Sequence, residues 1–135
     1  MFQIDRMGRT PIYEQIIEQT ELLIASGVLK PGDQLPSVRA LSEMLSANPN
    51  TLQKAYAELE RAGITTSAPG NGRYIGKDAK SLIRERMMTL LGDIEHLSAK
   101  LQIAGIEKQL AIAAVEKGYV HGMNAGGTEE KGQTV

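Results

Sequence analysis

The most restrictive feature of this sequence is a pair of helix starts placed almost back to back. Pro36-Ser37 opens a short helix that runs from Ser37 to Leu45 and buries Val38, Leu41 and Leu45. Asn48-Pro49 opens the next. Asn48 suits a helix cap, and Pro49 the first helical position, where a missing N–H costs nothing. The second helix extends to about Ala62, and Gly63 ends it. Leu52, Ala55, Tyr56, Leu59 and Ala62 recur on one face; Asn50, Gln53, Lys54, Ala57 and Arg61 occupy the other. Two helices joined by the break from Leu45 to Pro49 form a candidate helix-turn-helix.

The flanking segments extend this unit. Thr10 reads as a cap and Pro11 as the first residue of a helix ended by Ser26-Gly27. Its apolar positions are Tyr13, Ile16, Ile17, Thr20, Leu23 and Ile24. Lys30-Pro31-Gly32-Asp33 is a turn. After Gly63, Ile64 to Ala68 leans to strand, Pro69-Gly70-Asn71-Gly72 reads as a tight turn, and Arg73-Tyr74-Ile75 as the return strand. The expected fold class is mainly α with a small β-hairpin wing, a winged helix-turn-helix followed by a helical segment.

From Ala79 the pattern changes. Ile83, Met87, Leu90, Ile94, Leu97 and Leu101 step by four and three, a heptad-type stripe. Gly105 breaks that helix and a shorter one follows, from Ile106 to about Lys117. The expected division is residues 1–77 as the winged domain, 78–118 as a helical dimerisation region and 119–135 as a disordered tail. Two helices alone make a thin core, so pairing with a second copy through the stripe is the expected remedy.

Composition narrows the function. The 135 residues hold 4% aromatics, no Trp and no Cys, so the core is aliphatic, and disulfides, zinc ribbons and thiol catalysis are excluded. The amino-terminal residues lack the apolar run of a secretory signal, and no stretch has the ~18 apolar residues of a membrane span; a cytoplasmic protein without a membrane partner is expected. The formal net charge is −1; residues 1–78 carry 8 basic and 9 acidic side chains, residues 79–135 carry 7 and 7. A case for nucleic acid must therefore rest on where a few charges sit, because the total gives no basic surface. His96 and His121 have no partners at metal-ligand spacing, so neither metal nor cofactor is expected.

The helix-turn-helix meets the demands of DNA reading. In that motif the second helix lies in the major groove and reads base edges from its amino-terminal part. Asn50 and Gln53 each present a donor and an acceptor suited to adenine, and Lys54 can reach a phosphate or guanine. The helix amino terminus also favours phosphate. The hairpin supplies a wing, with Gly70 and Gly72 allowing close approach and Arg73 adding charge. Protein-interaction winged domains share this layout, so the residues alone leave a protein-binding module with a coiled tail as the alternative reading, one that the balanced charge favours.

Gly32-Asp33-Gln34-Leu35-Pro36-Ser37-Val38-Arg39-Ala40-Leu41-Ser42 together with the run Asn48-Pro49-Asn50-Thr51-Leu52-Gln53-Lys54-Ala55-Tyr56-Ala57-Glu58-Leu59-Glu60-Arg61-Ala62-Gly63 resembles the GntR family of bacterial transcription regulators, and the Asn-Pro-Asn-Thr element its YtrA subfamily. The resemblance covers about residues 10–76. It implies a dimeric repressor that binds a pseudo-palindromic double-stranded DNA operator and controls its own operon, often one encoding an ABC transporter. It implies that Arg39 contacts DNA beside the capping Ser37. It places Asn48, Asn50, Thr51 and Gln53 in the major groove and Gly70 in the minor groove. Pro69 and Asn71 depart from the basic residues common at the family's wing, so that charge falls to Arg73. Some relatives carry an aminotransferase-like domain for which this chain is too short, and no nucleophile–base pair stands out; an enzyme is not expected. A small-molecule effector would sit between the helical tails or beside the winged domain.

Overall fold

The computed structural model describes residues 2–68, 70 and 72–121. In order they form α1 (Ile12–Ala25), β1 (Gln34–Leu35), α2 (Val38–Leu45), α3 (Pro49–Arg61), β2 (Thr65–Ala68), β3 (Gly72–Ile75), α4 (Ala79–Met88), α5 (Leu90–Ile103) and α6 (Lys108–His121). By internal contacts the described residues divide into two units, 2–84 and 85–121.

In the first unit α3 packs on both α1 and α2. Leu52, Ala55, Tyr56 and Leu59 of α3 bury with Ile16, Leu23 and Ile24 of α1 and Leu41 of α2. These side chains are almost all aliphatic, as the composition requires, and full burial stabilises each leucine or isoleucine among them by roughly 1.5–3 kcal/mol. Tyr56 is the aromatic exception: its ring is buried and its hydroxyl donates to the Pro36 carbonyl at 2.7 Å.

The helix ends follow from local chemistry. The Ser37 hydroxyl accepts from the Ala40 N–H at 3.0 Å, and the Asn48 side chain accepts from the Asn50 N–H at 2.8 Å with Pro49 next in line. Gly63 holds φ +81° just beyond α3, as expected of a terminating glycine. Two expectations fail here. Pro11, not Thr10, is the capping residue of α1, and no side chain caps that end; the Thr10 carbonyl is instead engaged by the Gln15 amide. Ala62 lies past the last turn of α3 and is exposed, because the helix has already ended at Arg61.

The sheet is one strand larger than the hairpin predicted. Its order is β1-β3-β2, all antiparallel. Thr65 faces Ile75 and Ala68 faces Gly72 in the hairpin, while Gln34 pairs with Tyr74 and Leu35 with Arg73 across the other edge of β3. β1 is two residues long, too short for any alternation to announce it. It ties the loop before α2 to the wing. Pro69 and Asn71, read as part of the wing turn, lie outside the described residues.

The heptad stripe is not one uninterrupted helix. Thr89 separates α4 from α5, and its hydroxyl bonds back to the Arg86 carbonyl at 2.7 Å. Ile83 is buried in the first unit together with Ala79, so the first position of the stripe serves its own chain's core. Gly105, at φ +79°, follows α5 as expected. α6 continues to His121, past the expected stop near Lys117, so residues 119–121 are helical and not tail. The rest of the predicted tail, 122–135, lies outside the described residues.

Thr65 gives a test of the core. It is buried, yet its hydroxyl has no hydrogen-bond partner among the described residues. Thr65→Val removes that orphaned group while keeping the branched shape. The melting temperature should hold or rise; a loss beyond about 1 kcal/mol would mean the hydroxyl is bonded after all.

Candidate nucleic-acid interface

Between α2 and α3 the backbone turns through Ser46, the one non-glycine residue with positive φ (+51°) among the described residues. The turn is closed by the Ala47 N–H, which donates to the Ser42 carbonyl at 3.0 Å, and by the Ser42 hydroxyl, which donates to the Ala47 carbonyl at 2.6 Å. α3 therefore leaves the turn in a fixed direction, with its apolar face down. Asn48, Asn50, Gln53 and Lys54 are exposed on the remaining surface, and Thr51 is half-buried. The amide groups of Asn50 and Gln53 can thus bond outward.

Arg39 stands on α2 with its side chain 91% exposed; Nε is 3.9 Å from a Glu43 carboxylate oxygen one turn on. So open a pair is worth little and holds Arg39 weakly. Ser37 is exposed, but its hydroxyl is already committed to the cap. Lys54 is more constrained than its position suggests: its ammonium sits 3.9 Å from the centre of the Tyr13 ring on α1, a cation–π contact that aims it without neutralising it. Nothing in the sequence flagged Tyr13 for this role, because its spacing marks it only as part of an apolar face.

At the wing, Gly70 has φ +75° and open space around its Cα. A backbone there can be approached as closely as a groove requires. Gly72 serves the fold instead: at φ +92° it lies where a Cβ would meet the Gln34 amide at 2.8 Å.

Arg73 is turned inward. Its side chain is 22% exposed, pairs with Glu60 at 3.4 Å, and lies over the Tyr56 ring at 5.2 Å. The Ser67 hydroxyl donates to the same Glu60 oxygen at 2.7 Å. Arg73 is therefore not the freely available wing charge that its position suggests; its contact with Glu60 has no local signal, because the two meet only when the hairpin folds back on α3. Together with Gln53, Ala57 and Arg61 they line a groove of about 390 Å³. Burial pushes the Tyr56 hydroxyl up to about 12, and the nearby Arg73 charge pulls the other way.

A short turn between two packed helices, an exposed polar edge on the second, an exposed arginine on the first and an open glycine on an adjoining hairpin define a DNA-binding winged helix-turn-helix regulator. Comparison with known proteins agrees: residues 12–75 match the family described as "Bacterial regulatory proteins, gntR family". The chain is 48% identical over 108 residues to the HTH-type transcriptional repressor YtrA of Bacillus subtilis, covering 79% of this chain and 83% of that one. Among solved structures, a GntR family transcriptional regulator from Listeria monocytogenes superposes with a TM-score of 0.68 at 34% identity, over 84% of this chain and 98% of that one. YtrA from Sulfolobus acidocaldarius, a GntR-family transcription factor, gives a TM-score of 0.54 at 30% identity, over 88% and 97%. This chain belongs to the GntR family and is a YtrA-like regulator of transcription.

Two outcomes follow from the geometry. Arg73→Ala should lower stability by about 1 kcal/mol through its lost ring and carboxylate contacts, whereas Arg39→Ala should leave the melting temperature unchanged. Neutral Tyr56 stabilises the fold fully below its unfolded value of 10.0, and that contribution is lost as pH rises towards about 12. Thermal melts of Tyr56→Phe should lack this alkaline decline while starting from a lower stability at neutral pH, since the Pro36 carbonyl loses its donor.

Proposed function

We propose that the protein is a homodimeric repressor of its own operon that reads a pseudo-palindromic operator. Residues 1–77 bind the DNA and residues 78–118 join the two copies. The observation that carries this reading is the outward presentation of Asn48, Asn50, Gln53 and Lys54 at the start of a helix whose other face is locked into the core. Arg39, Thr51 and Ser37 flank that edge, Gly70 serves the minor groove, and Arg73 supports the wing from behind.

The helical unit supports the twofold assembly. α5 and α6 bury no residue of their own, while Leu90, Ile94 and Leu97 of the stripe are exposed. A groove of about 810 Å³ runs between α5 and α6, lined by Ile94, Leu101, Ile106, Ala111, Ile112 and Val115 among others. Contiguous apolar surface on this scale needs cover, and a second copy offers the same stripe in return. With Ile83 spent in the first unit, the shared face runs from Met87 through Leu90, Ile94, Leu97 and Leu101. Two recognition helices then meet half-sites about one helical turn apart.

Selection of bound fragments from genomic DNA should return a two-fold symmetric site upstream of the protein's own gene. Affinity for it should fall steeply with salt, as phosphate neutralisation requires, and Arg39→Ala should cost at least ~1 kcal/mol. Leu97→Glu should shift sedimentation from dimer to monomer and weaken operator binding in parallel. A salt-independent interaction, or a Leu97→Glu variant that stays dimeric with full affinity, would overturn the corresponding half of this reading.

A further inference from the structure

Residues 3–8 carry a feature that the DNA-binding reading does not use. This segment runs antiparallel along α1, held by two reciprocal amide clasps. The Asp5 N–H donates to the Gln15 side chain at 2.8 Å, and the Gln15 amide donates back to the Asp5 carbonyl at 2.9 Å and to the Thr10 carbonyl at 2.8 Å. One turn on, the Gln3 N–H donates to the Gln19 side chain at 2.9 Å, and the Gln19 amide returns a bond to the Gln3 carbonyl. Gln15 is buried, so its clasp is a fixed point and not a solvated contact. The Met7 N–H donates to the Asp5 carboxylate at 3.1 Å and the Gly8 N–H to the Asp5 carbonyl at 3.4 Å, shaping a turn around Arg6.

That turn delivers the Arg6 guanidinium to the carbonyls of Leu45 and Ser46, the latter at 3.3 Å. These carbonyls stand at the carboxyl end of α2, where a helix leaves acceptors without intrahelical partners and gathers negative partial charge. They belong to the residues from which the chain turns into α3, and Ser46 holds the left-handed conformation that a Cβ disfavours. Ser42 ties the turn from within α2. Arg6 ties it from a separate segment that is itself anchored on α1.

We propose that Arg6 is a positioning residue for DNA recognition: by bonding the Leu45 and Ser46 carbonyls it fixes the turn that sets the direction of α3, and so the angle at which Asn50 and Gln53 meet the bases. The inference rests on the reading of α3 as the DNA-facing helix. Arg6 acts through the turn and neutralises no phosphate, which separates it from Arg39.

The test compares the full chain with Arg6→Ala and Arg6→Lys on the operator recovered by selection. Arg6→Ala should weaken binding about tenfold, the size of one lost charge-assisted hydrogen bond. It should narrow the discrimination against single-base changes under α3, and it should speed hydrogen exchange at the Ala47 amide. Its slope of log affinity against log salt should match the parent protein. Arg6→Lys, which keeps a charged donor, should restore part of the affinity and of the exchange protection. A salt slope shallower by about one charge, with base discrimination intact, would make Arg6 a phosphate contact and overturn the proposal. Unchanged affinity and unchanged Ala47 exchange in Arg6→Ala would overturn it as well. The double variant Asn50→Ala/Gln53→Ala separates the two levels. If it leaves base preference untouched, the reading of α3 fails and this inference with it. If it abolishes base preference while Arg6→Ala keeps the full preference, only the role of Arg6 fails.

Discussion

The structure depends on the burial of one face of α3. Leu52, Ala55, Tyr56 and Leu59 lie against α1 and α2, and that packing is what leaves the polar edge pointing outward. Asn50 and Gln53 are exposed, and the helix that carries them is held by its opposite face. They inherit their direction from the buried face formed by Leu52, Ala55, Tyr56 and Leu59, whose members recur at three- and four-residue spacing. A cavity in that core would therefore be felt at the polar edge of α3, because close-packed interiors transmit small shifts.

Around this core, polar groups do the aligning. Tyr56 joins α3 to the Pro36 carbonyl just before α2, and its ring carries Arg73 of the wing. Glu60 holds Arg73 and Ser67 on opposite strands of the hairpin. Tyr13 seats Lys54. Each contact joins elements that the hydrophobic effect alone would bring near without fixing their register, since burial of apolar area is non-directional. A protein with a formal net charge of −1 thus presents selected cations at selected places. Arg39 is left extended, while Arg73 is taken out of the exposed set.

The two units differ in how far their sequences satisfy themselves. Residues 2–84 close a core of their own, whereas α5 and α6 bury none of their residues. The stripe that looked uniform in sequence is divided accordingly. Ile83 is consumed within the first unit, whereas Leu90, Ile94 and Leu97 remain open and Leu101 is half-buried. Periodicity reports that a face is apolar, but it does not report what covers it.

Much of the site was legible in the residues. Ser37, Asn48 and Pro49 determined where α2 and α3 begin, because capping and proline geometry act over a few bonds. The three- and four-residue spacing of Leu52, Ala55, Tyr56 and Leu59 determined which face of α3 is buried. Local chemistry of this kind needs no partner distant in sequence. What only the tertiary structure decided are the contacts made across long separations: β1 on β3, Arg73 on Glu60, Lys54 on Tyr13 and Arg6 on the turn at Ser46. None has a periodicity or a neighbouring signal, since each forms between segments brought together by the core. The sequence thus set which side chains lie on the polar edge, and the packing of distant segments set which of them stay exposed.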